Sequence, residues 1–332
     1  MKKVNVAING FGRIGRIALR MMIENPYINV KAINDLTDAA TLMHLFKYDS
    51  VHGKYEGSVS IEDDYLIIKG NKIKILKDTD PLQLPWKDLE IDLVIESTGV
   101  FVSREGSQKH ITAGAKKVLI SAPAKGGGVK TIVLGVNDEI LTGDDDIVSN
   151  ASCTTNCLAP MIKVLNDKVG IEKGSVTTVH AYTADQRLQD APHRDLRRAR
   201  AGAVSIIPTT TGAAAAVGKV LPDMNGKLDG FALRVPIPDG SITDCSLILS
   251  EEVSAEQINE WMKEASETYL KGILEYTEDP IVSIDIVGNK HSCIFDSQLT
   301  KTDGKLAKIV GWYDNEMGYA ARLVDMVNLL FT

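Results

Sequence analysis

Cys153, in the stretch Ser149-Asn150-Ala151-Ser152-Cys153-Thr154-Thr155-Asn156-Cys157, is the residue of this chain best placed for covalent chemistry. The run Asp146-Ile147-Val148 ends at Ser149 and Asn150 as a buried strand does, and Leu158-Ala159-Pro160-Met161-Ile162-Lys163-Val164-Leu165 continues with helical spacing. Cys153 is therefore expected to open a helix, where unpaired backbone N–H groups and the helix dipole favour thiolate over thiol. The local pattern leaves a second reading open, because a free cysteine is commonly a small buried hydrophobe. Downstream, His180 closes a strand-like run and offers a base, although taken alone it reads rather as a satisfied strand-end histidine.

A nucleotide site is expected upstream. Val4-Asn5-Val6-Ala7-Ile8-Asn9 reads as a strand, Gly10-Phe11-Gly12-Arg13-Ile14-Gly15 follows, and an amphipathic helix runs through Arg16 to Met22 and stops near Asn25-Pro26. A second strand, Asn29-Val30-Lys31-Ala32-Ile33, ends at Asn34-Asp35, and Asp35 lies 20 residues after Gly15. Strand, glycine fingerprint, helix and acid at that distance define a dinucleotide site. Gly10 allows the tight turn, Gly12 lets a pyrophosphate approach, Gly15 lets helix and sheet pack, and the helix N-terminus takes the phosphates. Asp35 suits the ribose hydroxyls and repels a 2′-phosphate, which favours NAD over NADP. The apolar runs Ile91 to Ile95, Lys117 to Ile120, Thr131 to Val136 and Ile147 to Val148 end in Ser97-Thr98-Gly99, Ser121-Ala122-Pro123, Asn137 and Ser149-Asn150. Those ends are expected to line the crevice at the carboxyl edge of a parallel sheet, with Thr98, Gly99 and Ser121 as cofactor candidates; each reads otherwise as a strand-ending turn.

After Cys153 the texture changes. Longer alternating segments at Ser175 to His180, Gly230 to Val235, Ser241 to Leu249, His291 to Phe295 and Lys305 to Trp312 predict a mostly antiparallel sheet. Helical patterns at Thr154 to Asn166, Thr211 to Val220, Ser254 to Lys271 and Glu316 to Leu330 accompany it. The expected class is α/β: an N-terminal Rossmann dinucleotide-binding domain over 1–152, joined by the C-terminal helix 316–332, and an α+β catalytic and oligomerisation domain over 153–315.

With 332 residues and 44% apolar content the chain reads as soluble, with no run near the roughly 18 apolar residues of a membrane span. Met1-Lys2-Lys3-Val4-Asn5-Val6 enters strand alternation at once, so no signal peptide and a cytoplasmic location are expected. The formal charge of −7 disfavours nucleic acid as the main partner. Cys153, Cys157, Cys245 and Cys293 lack the paired spacing of a zinc site, and no metal is expected.

Six stretches in chain order carry a family resemblance: Asn9-Gly10-Phe11-Gly12-Arg13-Ile14-Gly15-Arg16, Ser149 to Cys157 as written above, Asp195-Leu196-Arg197-Arg198-Ala199-Arg200, Pro208-Thr209-Thr210-Thr211-Gly212-Ala213, Arg234-Val235-Pro236 and Trp312-Tyr313-Asp314-Asn315-Glu316. Together they closely resemble the glyceraldehyde-3-phosphate dehydrogenase family over essentially the whole chain. The resemblance implies a glycolytic NAD(P)-dependent oxidoreductase in which Cys153 attacks the aldehyde of glyceraldehyde 3-phosphate and His180 acts as general base. Inorganic phosphate then attacks the thioester to release 1,3-bisphosphoglycerate. It further implies that a His180 imidazolium helps hold Cys153 as thiolate in the resting enzyme, the two titrating as a pair.

By the same resemblance the substrate phosphate and the attacking phosphate fall to Ser152, Thr154, Thr183, Arg198, Thr211, Gly212 and Arg234, a donor set that suits anions. Arg197 and Arg200 read as solvated or inter-subunit ion pairs. Asn315 resembles the residue that bonds the nicotinamide carboxamide and so orients the ring. A homotetramer is implied, with the segment from Ala181 to Val204 reaching toward a neighbouring subunit's cofactor. Three positions depart from the family pattern. Ala191 is smaller than the apolar residue many NAD-specific relatives carry before the proline, which keeps NADP use open. Thr79 stands where an arginine is common, and Pro236-Ile237-Pro238-Asp239-Gly240-Ser241 lacks the usual asparagine.

Other readings stay open on sequence alone. Erythrose-4-phosphate dehydrogenase would let water attack the thioester; Thr209-Thr210-Thr211-Gly212 and Thr183 favour the phosphate user. A cysteine acyltransferase or hydrolase without a redox step would leave the fingerprint and Asp35 without purpose. A nucleic-acid-binding role through the basic segment 194–200 and the cofactor groove runs against the net charge.

Overall fold

The computed structural model describes residues 3–331; Met1 and Lys2, at the head of the expected first strand, and Thr332, at the end of the expected last helix, lie outside the described residues. The chain divides into two compact units. One is built from the chain up to Ile132, with Glu139–Ala151 and the segment from Ala320 on, and the other from Val133–Asp138 and Ser152–Tyr319.

In the first unit the elements run β1 (Val4–Asn9), α1 (Arg13–Met22), β2 (Ile28–Asn34), α2 (Ala39–Lys47), β3 (Val59–Glu62), β4 (Tyr65–Ile68), β5 (Asn71–Leu76), β6 (Leu93–Glu96), α3 (Arg104–Thr112), β7 (Lys117–Ile120), β8 (Lys130–Thr131) and β9 (Ile147–Ser149). They form one sheet in the order β3-β4-β5-β2-β1-β6-β7-β9-β8, parallel from β5 to β8 and antiparallel in the β3-β4-β5 meander. Val6, Ala7 and Ile8 of the central strand are wholly buried, as an apolar strand of a parallel sheet covered on both faces must be. The meander lies outside the strands expected above; its signal is the turns at Asp63, Lys69 and Gly70, which take positive φ, between short alternating runs.

The strand expected over Thr131 to Val136 shrinks to β8. Val133 N donates to Asn137 Oδ1 at 2.8 Å and Gly135 takes φ +76, so the backbone turns there and residues 133–138 join the second unit.

The second unit runs α4 (Cys153–Lys168), β10 (Ile171–Ala181), β11 (Ile207–Thr210), α5 (Ala213–Val220), β12 (Leu228–Val235), β13 (Ser241–Leu249), α6 (Ala255–Glu267), β14 (Leu274–Thr277), β15 (Cys293–Asp296), β16 (Lys301–Asp303) and β17 (Leu306–Tyr313). Its sheet is ordered β11-β12-β10-β13-β17-β15-β14, with β16 on β17, and is parallel only at β10–β12 and β14–β15. Ser241, Thr243, Cys245, Leu247 and Leu249 point inward from β13 at period two. Almost every side chain of α4 from Thr154 to Leu165 is buried, so the helix that Cys153 opens runs through the core of the unit. The last helix, α7 (Met317–Leu329), begins in this unit and continues in the first. Among the described residues no helix is long and apolar enough to cross a membrane.

Candidate active site

The fingerprint builds a cleft in the first unit. Gly10 sits at φ +93, and a Cβ there would lie 2.6 Å from Thr98 N; a Cβ on Gly15 would lie 2.5 Å from Gly10 O. Only glycine lets this turn and helix start seat against the ends of β1 and β6. A Cβ on Gly12 would instead enter open space, and the N-terminus of α1 beside it has no side-chain cap. Backbone N–H groups are thus left for an anion, as a pyrophosphate requires.

Asp35 accepts from Phe11 N at 2.8 Å and from Thr37 N at 2.9 Å. Burial pushes its carboxyl up, but these backbone donors and the charge of Arg16 outweigh that and hold it below the usual carboxylate range, ionised for a ribose. Asn9, Gly10, Gly12, Asn34, Asp35, Thr98 and the exposed apolar Leu36 and Val100 line this cleft of about 520 Å³. Gly99 takes φ +75 just beyond, Ser121 N is held by Glu96 O at 2.9 Å, and Arg13 is engaged by Asp49 at 2.9 Å. Ile14 lies in the first turn of α1. The residues present fit a dinucleotide.

In the second unit Ser152 caps α4 by accepting from Thr155 N at 3.1 Å, and Cys153 is its first helical residue. Cys153 Sγ lies 3.5 Å from Nε2 of His180, which is 5% exposed at the end of β10. Cys157, one turn on, is buried with its sulfur 3.7 Å from Gly311 O. Burial acts against charge on each member of the expected resting pair. Burial pushes the Cys153 thiol up, against the opposing charge of Arg234 and the donors of the helix start. Burial, then Arg234, lower His180 to about 3. Desolvation opposes charge on each group taken singly, and the guanidinium opposes an imidazolium while favouring a thiolate.

Nδ1 of His180 has two neighbours. Ala181 O lies at 2.7 Å and Arg234 Nη1 at 2.7 Å, and the same Nη1 donates to Ala181 O at 3.0 Å. The Tyr313 ring stands edge-on to the imidazole at 5.9 Å between centroids. Arg234 Nε is buried without a partner, so this guanidinium has donor capacity to spare.

The other anion candidates are less free. Arg198 is paired with Asp185, donates from Nε to Thr209 Oγ1 at 2.9 Å and lies 3.6 Å from Asp195, although its charge still reaches His180. Thr154 is buried with its hydroxyl 2.8 Å from the Tyr313 hydroxyl, and Ser152 Oγ meets Thr155 Oγ1 at 2.7 Å. Thr183 N donates to Gln186 Oε1 at 3.1 Å. Thr211 Oγ1 accepts from Ala213 N at 3.2 Å, and Gly212 caps α5 with open space where a Cβ would stand. Arg200 makes an exposed ion pair with Asp190 at 3.0 Å. Asn315 Oδ1 accepts from Ser241 Oγ at 2.6 Å, and Ser241 Oγ accepts from Ala181 N at 3.1 Å.

Two groups beneath these sites are absent from the sequence-based candidates. In the first unit Trp86 Nε1 donates to His110 Nδ1 at 2.9 Å, which leaves the His110 proton on Nε2, 3.1 Å from Glu96 Oε2. Glu96, wholly buried, also accepts from Asn9 at 2.6 Å and from Thr98 N at 2.8 Å, bracing both sides of the glycine turn. In the second, Ser241 braces Asn315 and Ala181. Nothing in sequence spacing pairs residues from such distant positions; the one local signal is a carboxylate, Glu96, closing an apolar run.

Residues 4–104 match the family profile described as the NAD binding domain of glyceraldehyde 3-phosphate dehydrogenase, and residues 152–315 match that of its C-terminal domain. A glyceraldehyde-3-phosphate dehydrogenase from Mycolicibacterium smegmatis is 55% identical over 98% of both chains. Those from Clostridium acetobutylicum and Clostridium pasteurianum are each 55% identical over 96% of both chains. The Rossmann unit and these matches make the protein an NAD-dependent oxidoreductase. The chain belongs to the glyceraldehyde-3-phosphate dehydrogenase family.

Proposed function

We propose that the chain catalyses the phosphorylating oxidation of glyceraldehyde 3-phosphate to 1,3-bisphosphoglycerate. The observation that carries this reading is the Cys153 Sγ to His180 Nε2 contact at 3.5 Å. Sulfur bonds to the aldehyde carbon as its proton passes to the imidazole, and the carbonyl oxygen takes a proton back to give a hemithioacetal. His180 Nε2 then accepts the hydroxyl proton as the C–H bond breaks. NAD, when bound, supplies the hydride acceptor, held by Gly10 to Gly15, Asp35, Thr98, Gly99, Ser121 and Asn315. An oxygen of inorganic phosphate attacks the thioester carbon, and sulfur leaves as thiolate.

Arg234, with its unpartnered Nε, is the leading ligand for the substrate phosphate, with Arg198, Thr183, Thr211 and Gly212 completing the two anion sites. Ser152 and Thr154 join only by exchanging their present bonds to Thr155 and Tyr313. The dinucleotide-binding domain is read as 1–152 with 316–332, and the catalytic domain as 153–315. A homotetramer fits the exposed apolar side chains Leu188, Leu196, Val204 and Ile206, and a cytoplasmic location fits four free cysteines. The acidic Asp35 favours NAD, and the small, exposed Ala191 leaves NADP use to the assay.

The test is NADH formation from glyceraldehyde 3-phosphate with and without inorganic phosphate, repeated with NADP and with erythrose 4-phosphate. Turnover that requires phosphate is expected. Phosphate-independent turnover, or a preference for erythrose 4-phosphate, would overturn the substrate reading.

A further inference from the structure

Hydrogen bonds in the first unit converge on one side chain that is itself closed off from the cleft. Glu96, the last residue of β6, is wholly buried and takes donors at both carboxylate oxygens. Oε2 accepts from Asn9 Nδ2 at 2.6 Å and from His110 Nε2 at 3.1 Å, and Oε1 accepts from Thr98 N at 2.8 Å and from the Thr98 hydroxyl. Two arms reach Oε2, and each is directed by a group that can only donate. Trp86 Nε1, an indole N–H, donates to His110 Nδ1 at 2.9 Å, so the ring is neutral with its hydrogen on Nε2; an imidazolium would turn an N–H against the indole. In the other arm Asp78 N donates to Asn34 Oδ1 at 2.9 Å, which aims Asn34 Nδ2 at Asn9 Oδ1 at 2.7 Å and so Asn9 Nδ2 at Glu96.

We propose that Glu96 is a positioning residue for the dinucleotide. Asn9 ends β1, Asn34 ends β2 and Thr98 follows β6; all three line the cleft and are aimed by bonds that end on Glu96. The glycine turn moves with them, since a Cβ on Gly10 would lie 2.6 Å from Thr98 N. This pattern needs two acceptor oxygens, and a glutamine of the same size has one. With its oxygen toward Asn9 and His110, the glutamine sets its amide NH2 against Thr98 N–H; turned the other way, it sets the NH2 against two donors. The first arrangement is the lesser conflict. In the free variant it is relieved when the exposed Thr98 swings its N–H to the water of the cleft. A bound dinucleotide takes that space, so the cost of the unpaired donor falls on cofactor binding. A carboxylate that acted through its charge alone would have the opposite effect, because loss of a buried negative charge would strengthen binding of an anionic pyrophosphate. The inference rests on the dinucleotide reading of the cleft and is independent of which aldehyde is oxidised.

The experiment measures NAD binding to the full chain and to Glu96→Gln by titration calorimetry, with thermal denaturation of both and kcat and KM for NAD in the dehydrogenase assay. Affinity is expected to fall about tenfold or more, KM for NAD to rise in parallel, and kcat at saturating NAD to change far less. Unchanged affinity with a lower melting midpoint would make Glu96 a packing residue, and tighter binding would reduce its role to charge; either result overturns the proposal. A second measurement does not depend on how Glu96→Gln folds. Ring ¹⁵N shifts of the wild type, labelled at its 6 histidines with His110 identified by its loss in His110→Gln, should show a neutral ring with its proton on Nε2, with and without NAD. A proton on Nδ1 would overturn the proposal. A wild type that fails to bind NAD would remove the dinucleotide reading and the proposal together, whereas equal binding by wild type and variant would remove the proposal alone.

Discussion

At Cys153 two influences oppose each other. The helix start favours thiolate and burial favours thiol, and burial wins, so reactivity depends on what the neighbours do when substrate arrives. Cys153→Ser is expected to lower oxidation by roughly three orders of magnitude or more while equilibrium NAD binding, followed by fluorescence, stays near wild type. A second residue, Asp239, affects stability. Burial and the neighbouring Asp314 and Glu316 raise its carboxyl pKa far above the usual range. Above the ordinary carboxyl pKa the unfolded chain is ionised while the folded chain keeps the proton. The stabilisation is therefore full below about pH 4 and is lost as pH rises, at up to about 1.4 kcal/mol per pH unit. Asp239→Asn should flatten the fall in denaturation midpoint between about pH 4 and about pH 9, and an unchanged slope would refute the assignment.

At the scale of elements, the turn from β1 into α1 separates a structural from a ligand-facing glycine. A Cβ on Gly15 meets Gly10 O at 2.5 Å and Ile8 Cγ2 at 3.2 Å, whereas one on Gly12 meets nothing. Gly15→Ala should cost about 2–4 kcal/mol of stability in denaturant titration. Gly12→Ala should melt like wild type yet bind NAD about tenfold or more weakly, because the methyl occupies the place of the pyrophosphate. Equal destabilisation of the two would show that Gly12 also packs. The cap of α4 belongs here too: Ser152→Ala removes the acceptor for Thr155 N and should cost about 1 kcal/mol, seen as a lower unfolding midpoint.

For the whole molecule, the segment between β10 and β11 carries Leu188, Leu196 and Val204, each 79–82% exposed in the single chain. Side chains of this kind are costly to leave in water and suit a subunit contact. Leu188→Asp combined with Val204→Asp is expected to shift the sedimentation profile toward smaller species. A single-chain species in the wild type would refute the tetramer.

How much of this the sequence carried follows from the range of each interaction. The Gly10 to Gly15 turn, Asp35 and the helix opening at Cys153 are local: strand, turn and helix signals lie within a few residues, so spacing alone specified them. The alternation that sets β10, β12, β13 and β17 is local as well. The β3-β5 meander and the turn that ends β8 escaped because short runs carry weak periodicity. What only the tertiary structure decided is which side chains share a desolvated space. Arg234 lies on His180, Glu96 on His110, and Ser241 on Asn315, at sequence separations of 54, 14 and 74. The shifts of Cys153 and His180 arise there too, since burial acts on them only once the chain has packed around them.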